Sequence, residues 1–215
     1  TPGDVGALGL LYQWGRKDPF LGSSSISSNV EAESTITWPS AVSSNSSNGT
    51  ISYATEHPTT FIIRNTNNYD WYYKGSSSTD NTRWQSAKTI YDPCPVGWRV
   101  PDGGISGING VWSKVLGNNV ITYDDEYDDT NEGINFTGKF GNSSTIWYPA
   151  SGCRGGGLSN VGDSGLYWST SPDGYRAYNL YFNNAGGVSS SSSLDRALGF
   201  SVRCLQEGTT SSTPE

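Results

Sequence analysis

Cys94 stands between two prolines in the run Lys88-Thr89-Ile90-Tyr91-Asp92-Pro93-Cys94-Pro95-Val96-Gly97-Trp98-Arg99-Val100-Pro101, which is answered far downstream by Gly199-Phe200-Ser201-Val202-Arg203-Cys204. Each proline locks its own φ and pushes the residue before it out of the helical region, so Cys94 is held in an extended segment. In the downstream run, alternation puts Phe200, Val202 and Cys204 on one face of a strand and Ser201 and Arg203 on the other. Cys204 therefore points toward a core. A Cys94–Cys204 bridge would close a loop on the order of a hundred residues, for which the chain-entropy model gives about 4–5 kcal/mol less any strain. With Cys153 as the third cysteine, three single pairings are open.

A staple of that size matters because the aliphatic core is thin. Only 33% of residues are hydrophobic and Met is absent, whereas there are 8 Trp, 13 Tyr and 27 Gly. Burial must rest on large aromatics, which favours short strands and long loops over helix bundles. No apolar stretch is long enough to cross a membrane as a helix. The net charge of -7, with no basic cluster, argues against nucleic acid as a partner. With no initiator Met and no signal peptide in the sequence, Thr1 reads as a processing boundary. The low charge and the Ser, Thr, Asn, Gly and Tyr content point to an oxidising, extracellular setting in which a disulfide persists.

Along the chain, Thr1-Pro2-Gly3-Asp4 reads as a capped helix start, with Val5, Leu8, Leu11 and Tyr12 at helical spacing and Gly15 as the stop. Residues 22–50 are Ser/Asn-rich, with one weak strand signal around Ile36 and Trp38. The β-branched run at 59–64 predicts a strand entering a polar turn. Val111, Trp112, Val115 and Leu116 predict one or two helical turns. From Thr145 onward, 146–148, 166–168, 175–182 and 200–204 predict an all-β region. Residues 1–207 read as one domain and 208–215 as a flexible Thr/Ser/Pro tail.

The candidate chemistry is sparse. His57 is the only histidine and precedes Pro58, so no Ser/His or Cys/His pair and no ordinary zinc set is indicated. The acidic run containing Asp124, Asp125, Glu126, Asp128 and Asp129 offers hard oxygen ligands suited to Ca²⁺, although it lacks the EF-hand register and acidic runs are most often solvated loops. The same carboxylates would serve a glycosidase if two of them flanked a sugar. Trp71, Tyr72, Tyr73, Tyr123, Tyr127, Tyr175 and Tyr181 lie in or beside polar loops, where flat rings suit a sugar face or a protein partner. Core packing is the competing account of each.

The succession Gly9-Leu10-Leu11-Tyr12-Gln13-Trp14-Gly15-Arg16-Lys17-Asp18-Pro19-Phe20, the Asp92 to Pro101 part of the cysteine run, Tyr148-Pro149-Ala150-Ser151-Gly152-Cys153-Arg154, Tyr167-Trp168-Ser169 and Val202-Arg203-Cys204 resembles the Fibrobacter succinogenes major paralogous domain, found in secreted and surface proteins of Fibrobacter and Bacteroidetes. The resemblance covers nearly the whole chain. It implies an α+β, C-type-lectin-like fold related to formylglycine-generating enzymes, with twisted antiparallel sheets, one or two short helices and long irregular loops. It places Trp14, Trp98, Trp147 and Trp168 in the core, and implies an N-terminal strand lying outside this sequence. Formylglycine-type chemistry needs two reactive cysteines, and only Cys153 remains once Cys94 and Cys204 pair. Arg154 beside Cys153 raises the idea of a lowered thiol pKa, against simple apolar packing.

The expectation is therefore a non-enzymatic recognition or adhesion module at the cell surface or outside the cell, part of a longer surface protein, whose ligand is a glycan or a surface protein. No cofactor is required, with Ca²⁺ the one cation considered. A carbohydrate-active enzyme using the acidic loop and a structural domain of a surface fibre are the alternatives.

Overall fold

The computed structural model describes residues 1–65, 69–75, 79–104, 110–116, 121–122, 127–137 and 145–208. The chain is mixed α+β, mostly sheet, with two short α-helices among the described residues, at Ile51–Glu56 and Val111–Leu116. Among the described residues, no helix is long and apolar enough to cross a membrane.

Cys94 and Cys204 form a disulfide, with Cα atoms 5.8 Å apart. The Pro-Cys-Pro segment is fixed from within as well. Asp92 Oδ1 accepts from the Cys94 N–H at 2.8 Å, and Oδ2 accepts from the Val100 N–H at 2.9 Å. Lys88 Nζ donates to Asp92 Oδ1 and to the carbonyl oxygens of Cys94 and Trp98. One buried carboxylate thus satisfies two backbone donors that the prolines leave out of any ladder. Trp98–Arg99 then pairs with Leu205–Gln206, so the ladder and the bridge hold the same two segments together.

The largest sheet has nine strands. Its centre is the hairpin of Ser164–Asp173 and Arg176–Asn183, extended on one side by Gly187–Asp195 and on the other by Gly199–Ser201. Pairing is antiparallel except where Tyr167 meets Ser201. Both faces of the hairpin are covered, by different clusters. Tyr167, Leu180 and Phe182 face a cluster with Trp112, Ile134, Phe136 and Tyr148, whereas Leu166, Trp168 and Ala177 face one with Trp14, Trp84, Cys94 and Phe200. This is the period-2 alternation of a strand buried on both sides. Gly165 is required at its position: a Cβ there would lie 2.1 Å from the Phe182 ring.

Trp14, Trp71, Trp84 and Trp168 are fully buried. At about 25 cal/mol per Å², burying roughly 200 Å² of an indole contributes on the order of 5 kcal/mol as an upper bound, so four of them outweigh the disulfide several-fold. Aromatic burial carries the core and the bridge trims the unfolded ensemble.

Several local expectations are corrected. The N-terminal helix is only a 3₁₀ turn, Val5–Ala7, capped by Asp4 rather than Thr1. Leu11–Gln13 is a strand paired with Gly199–Ser201, because Gly9 at φ +71° breaks the helix and Trp168 Nε1 donates to the Tyr12 carbonyl. The weak strand signal at Ile36 and Trp38 forms no strand, and Ile62–Ile63 pairs in parallel with Val42–Ser43 instead. Trp98 is 39% exposed rather than in the core, since a two-stranded ladder covers only one side of it. Trp147 is half-buried, while Trp14 and Trp168 are fully buried.

The helix Ile51–Glu56 carries no periodic sequence signal. Thr50 caps its start by accepting from the Tyr53 N–H. Buried Arg16 closes its other end, donating to the carbonyls of Ala54, His57, Pro58 and Thr60. A cation among the orphan carbonyls of a helix C-terminus supplies both hydrogen bonds and dipole compensation.

Candidate ligand-binding surface

A buried ionic group underlies the most conspicuous exposed aromatics. Asp70, Arg83 and Arg196 are each fully buried. Arg83 pairs with Asp70, and Arg196 Nη1 lies 3.7 Å from Asp70 Oδ2. Arg83 stacks over Trp71 at 4.7 Å, and Arg196 over Trp14 at 4.3 Å. Burial pushes the Arg196 guanidinium down to about 10, opposed by the Asp70 carboxylate. It is still charged at neutral pH.

Arg196 spends its remaining donors on three backbone carbonyls and one side-chain amide. Nε donates to the Arg176 carbonyl at 2.9 Å, Nη2 to the Gly174 carbonyl at 3.0 Å and to Asn81 Oδ1 at 2.7 Å, and Nη1 to the Asp80 carbonyl at 3.2 Å. Gly174 and Tyr175 form the two-residue connection of the central hairpin, with Gly174 at φ +55° as such tight turns require. Arg196 therefore grips the turn on both sides of Tyr175. The neighbouring Ala197 N–H donates to the Tyr69 carbonyl at 3.1 Å, one residue before the buried Asp70.

Two tyrosines emerge from this frame. Tyr69 is 37% exposed and Tyr175 46%, with ring centroids 6.5 Å apart. Arg64 and Arg176 lie over the Tyr69 ring at 5.3 and 5.1 Å, and both pair with Asp195, at 3.1 and 3.2 Å. The result is a surface of two flat rings and two solvent-facing guanidinium groups anchored by one carboxylate. Rigid aromatics and Arg in this setting are the residue types that dominate recognition interfaces.

A cleft of about 330 Å³ opens beside it, lined by Ile63, Arg64, Gly155, Gly156, Asp195 and Leu198 among others. Gly156 also lines a second cleft of about 220 Å³ with Glu31, Trp38, Ser40, Phe61 and Arg154. Gly156 is common to the two linings.

The other residues singled out from sequence are placed differently. Trp71 is 1% exposed, and its Nε1 donates to the Trp14 carbonyl at 2.9 Å. Tyr72 is half-buried against Trp71 and Arg83, and Tyr73 is half-buried with its N–H on the Gly49 carbonyl. Tyr127 donates to the Gly162 carbonyl at 2.7 Å, and burial together with the Glu132 carboxylate pushes its hydroxyl well above the usual range. Tyr181 is half-buried and accepts from Asn183 Nδ2. Of these tyrosines, Tyr175 is the one on the exposed surface. Its companion Tyr69 carries no sequence signal beyond its place in a polar loop.

Tyr123, Asp124, Asp125 and Glu126 lie outside the described residues. Asp128 caps the following turn, accepting from the Thr130 and Asn131 N–H groups and from Asn131 Nδ2. Among the described residues, no group of three or more His, Cys, Asp or Glu is placed to hold a metal ion. Burial pushes the Cys153 thiol up rather than down, correcting the idea that Arg154 activates it; its Sγ lies 3.1 Å from Ser159 Oγ. His57 stacks on Tyr53 at the end of the first helix.

Compared with protein-family models, curated proteins and solved structures, the chain matches none of them.

Proposed function

We propose that this chain is a non-enzymatic recognition or adhesion module of the cell surface or extracellular space, and that its ligand docks on the surface formed by Tyr69, Tyr175, Arg64 and Arg176. The observation that carries this reading is the grip of buried Arg196 on the turn bearing Tyr175, because rings fixed before binding lose little further entropy on contact. The disulfide fits an oxidising setting. The mixed sheet with short helices and long loops is compatible with the C-type-lectin-like fold and with membership of the Fibrobacter succinogenes major paralogous domain family, both of which are part of the proposal.

The test is binding of the purified domain to glycan and protein arrays, with calcium and with chelator, together with product analysis on any glycan bound. Binding without turnover that survives chelation supports the reading. Loss on chelation would move the site to the acidic segment, product formation would favour the carbohydrate-active alternative, and no binding on either array would favour a structural role.

A further inference from the structure

The surface around Tyr175 carries a charge and an apolar cleft that together narrow its ligand. Arg64 Nη1 and Arg176 Nε pair with opposite oxygens of Asp195, and the two side chains remain 51% and 48% exposed. Each guanidinium meets Asp195 through one nitrogen, and the rest of its planar fork faces solvent with N–H donors suited to a second carboxylate. Asp173, opposite Arg176 in the ladder, lies against the Tyr178 hydroxyl, so Asp195 is the carboxylate the two arginines share. Beneath them buried Arg83 and Arg196 share Asp70 in the same way. Each layer sets two guanidinium groups against one carboxylate, on a chain whose net charge is -7. That contrast steers an acidic group to this end of the molecule.

The cleft beside the arginines asks for something apolar. Apart from Arg64 and Asp195, its walls are Ile63, Ala197, Leu198 and the two glycines Gly155 and Gly156. Its volume of about 330 Å³ stands at the small end of ligand clefts, roughly 300–1,000 Å³, and suits one or two side chains. A sugar ring lays its C–H face on a flat aromatic, and among the described residues the cleft wall holds none. Two guanidinium groups already lie over the Tyr69 ring, which leaves Tyr175 as the more open of the two. Arg and Tyr around an aliphatic recess are the anchors of protein interfaces.

We infer that the ligand of this surface is a protein, bound through an acidic side chain on Arg64 and Arg176 and an apolar side chain in the cleft beside them. This rests on the recognition reading above and names its ligand class. Gly156 takes no positive φ, and a Cβ there would find nothing within 4 Å, so a large side chain can be placed at the cleft wall without straining the fold.

The experiment selects a library of random-sequence peptides on the wild-type chain and, in parallel, screens neutral and acidic oligosaccharides. The strongest peptide is then titrated against Arg64→Gln, Arg176→Gln, Gly156→Trp and Tyr175→Ala, each checked by its urea midpoint so that lost binding is not lost fold. The inference predicts enriched peptides with Asp or Glu close to a large apolar residue. It predicts affinity lowered about tenfold or more by either arginine substitution and lowered again by raised salt. Gly156→Trp will weaken the same peptide. Enriched peptides that bind equally well to both arginine variants would overturn the inference. Oligosaccharide binding that is lost in Tyr175→Ala, with no peptide enriched, would overturn it while leaving the recognition reading standing. Binding of neither class would sink both.

Discussion

Arg196 donates to the carbonyl oxygen of Gly174 from the buried side of the hairpin turn, and Tyr175 projects from the solvent side of the same turn. One buried cation thus connects the core, through Asp70 and Trp14, to the surface where ligand binding is proposed.

Arg196→Met will destabilise the protein by about 2–5 kcal/mol, because it leaves the carbonyls of Gly174, Arg176 and Asp80 and the Asn81 amide oxygen without this donor. Tyr175→Ala, half exposed, will change stability by no more than about 0.5 kcal/mol. Urea unfolding of the two variants measures both. Equal stability of Arg196→Met and wild type would mean that the clamp is not a stabilising element.

Removing the disulfide as Cys94→Ala with Cys204→Ala will lower stability by up to about 4–5 kcal/mol, the value for a loop of this length. The native near-ultraviolet circular dichroism will persist below the new midpoint, since the four buried indoles and the Asp92 hydrogen bonds do not depend on the bridge. A double variant lacking that signal at any temperature would show that the aromatic core needs the staple to form.

Cys153 will label slowly with iodoacetamide in the folded protein and rapidly in urea, because burial raises its thiol pKa and hides the sulfur. Fast labelling of the native state would contradict the placement of this side chain.

Acid will weaken the fold through Asp102. Burial pushes this carboxyl up, but donation from Arg99 and Thr170 outweighs it and holds the group below its ordinary 3.8. A carboxyl depressed in the fold contributes stability above its unfolded value and loses it as pH falls through the folded one, since the unfolded chain then binds more protons. The urea midpoint should fall below about pH 4 in the wild type, and less steeply in Asp102→Asn. Identical slopes would assign the acid sensitivity to other carboxyls.

The aromatic strands of the C-terminal half are legible in sequence, as in Leu166-Tyr167-Trp168, because they alternate and Gly and Asn punctuate them, whereas the Ser-rich strand Gly187–Asp195 carries no such signal and the run expected over 200–204 leaves the sheet after Ser201. The N-terminal half is not legible. Leu11 and Tyr12 sit at helical spacing from Val5 and Leu8, but their partners are Ser201 and Phe200, near the far end of the chain, and no local pattern encodes that pairing. The helix at Ile51–Glu56 likewise depends on Arg16, which closes it from outside the segment. At the candidate surface, the aromatic loops were visible but their exposure was not. Trp71 and Tyr69 are two residues apart, yet one is buried beneath Arg83 and the other lies open beneath Arg64. That difference is set by Asp70 between them and by buried Arg83 and Arg196 from other segments, which composition does not announce.

The most direct test compares the wild type with a Tyr69→Ala, Tyr175→Ala double variant on the same glycan and protein arrays, after matching their urea midpoints. The account predicts one class of ligand bound by the wild type and lost in the double variant at unchanged stability. An undiminished signal from the double variant would place the recognition surface elsewhere on the molecule.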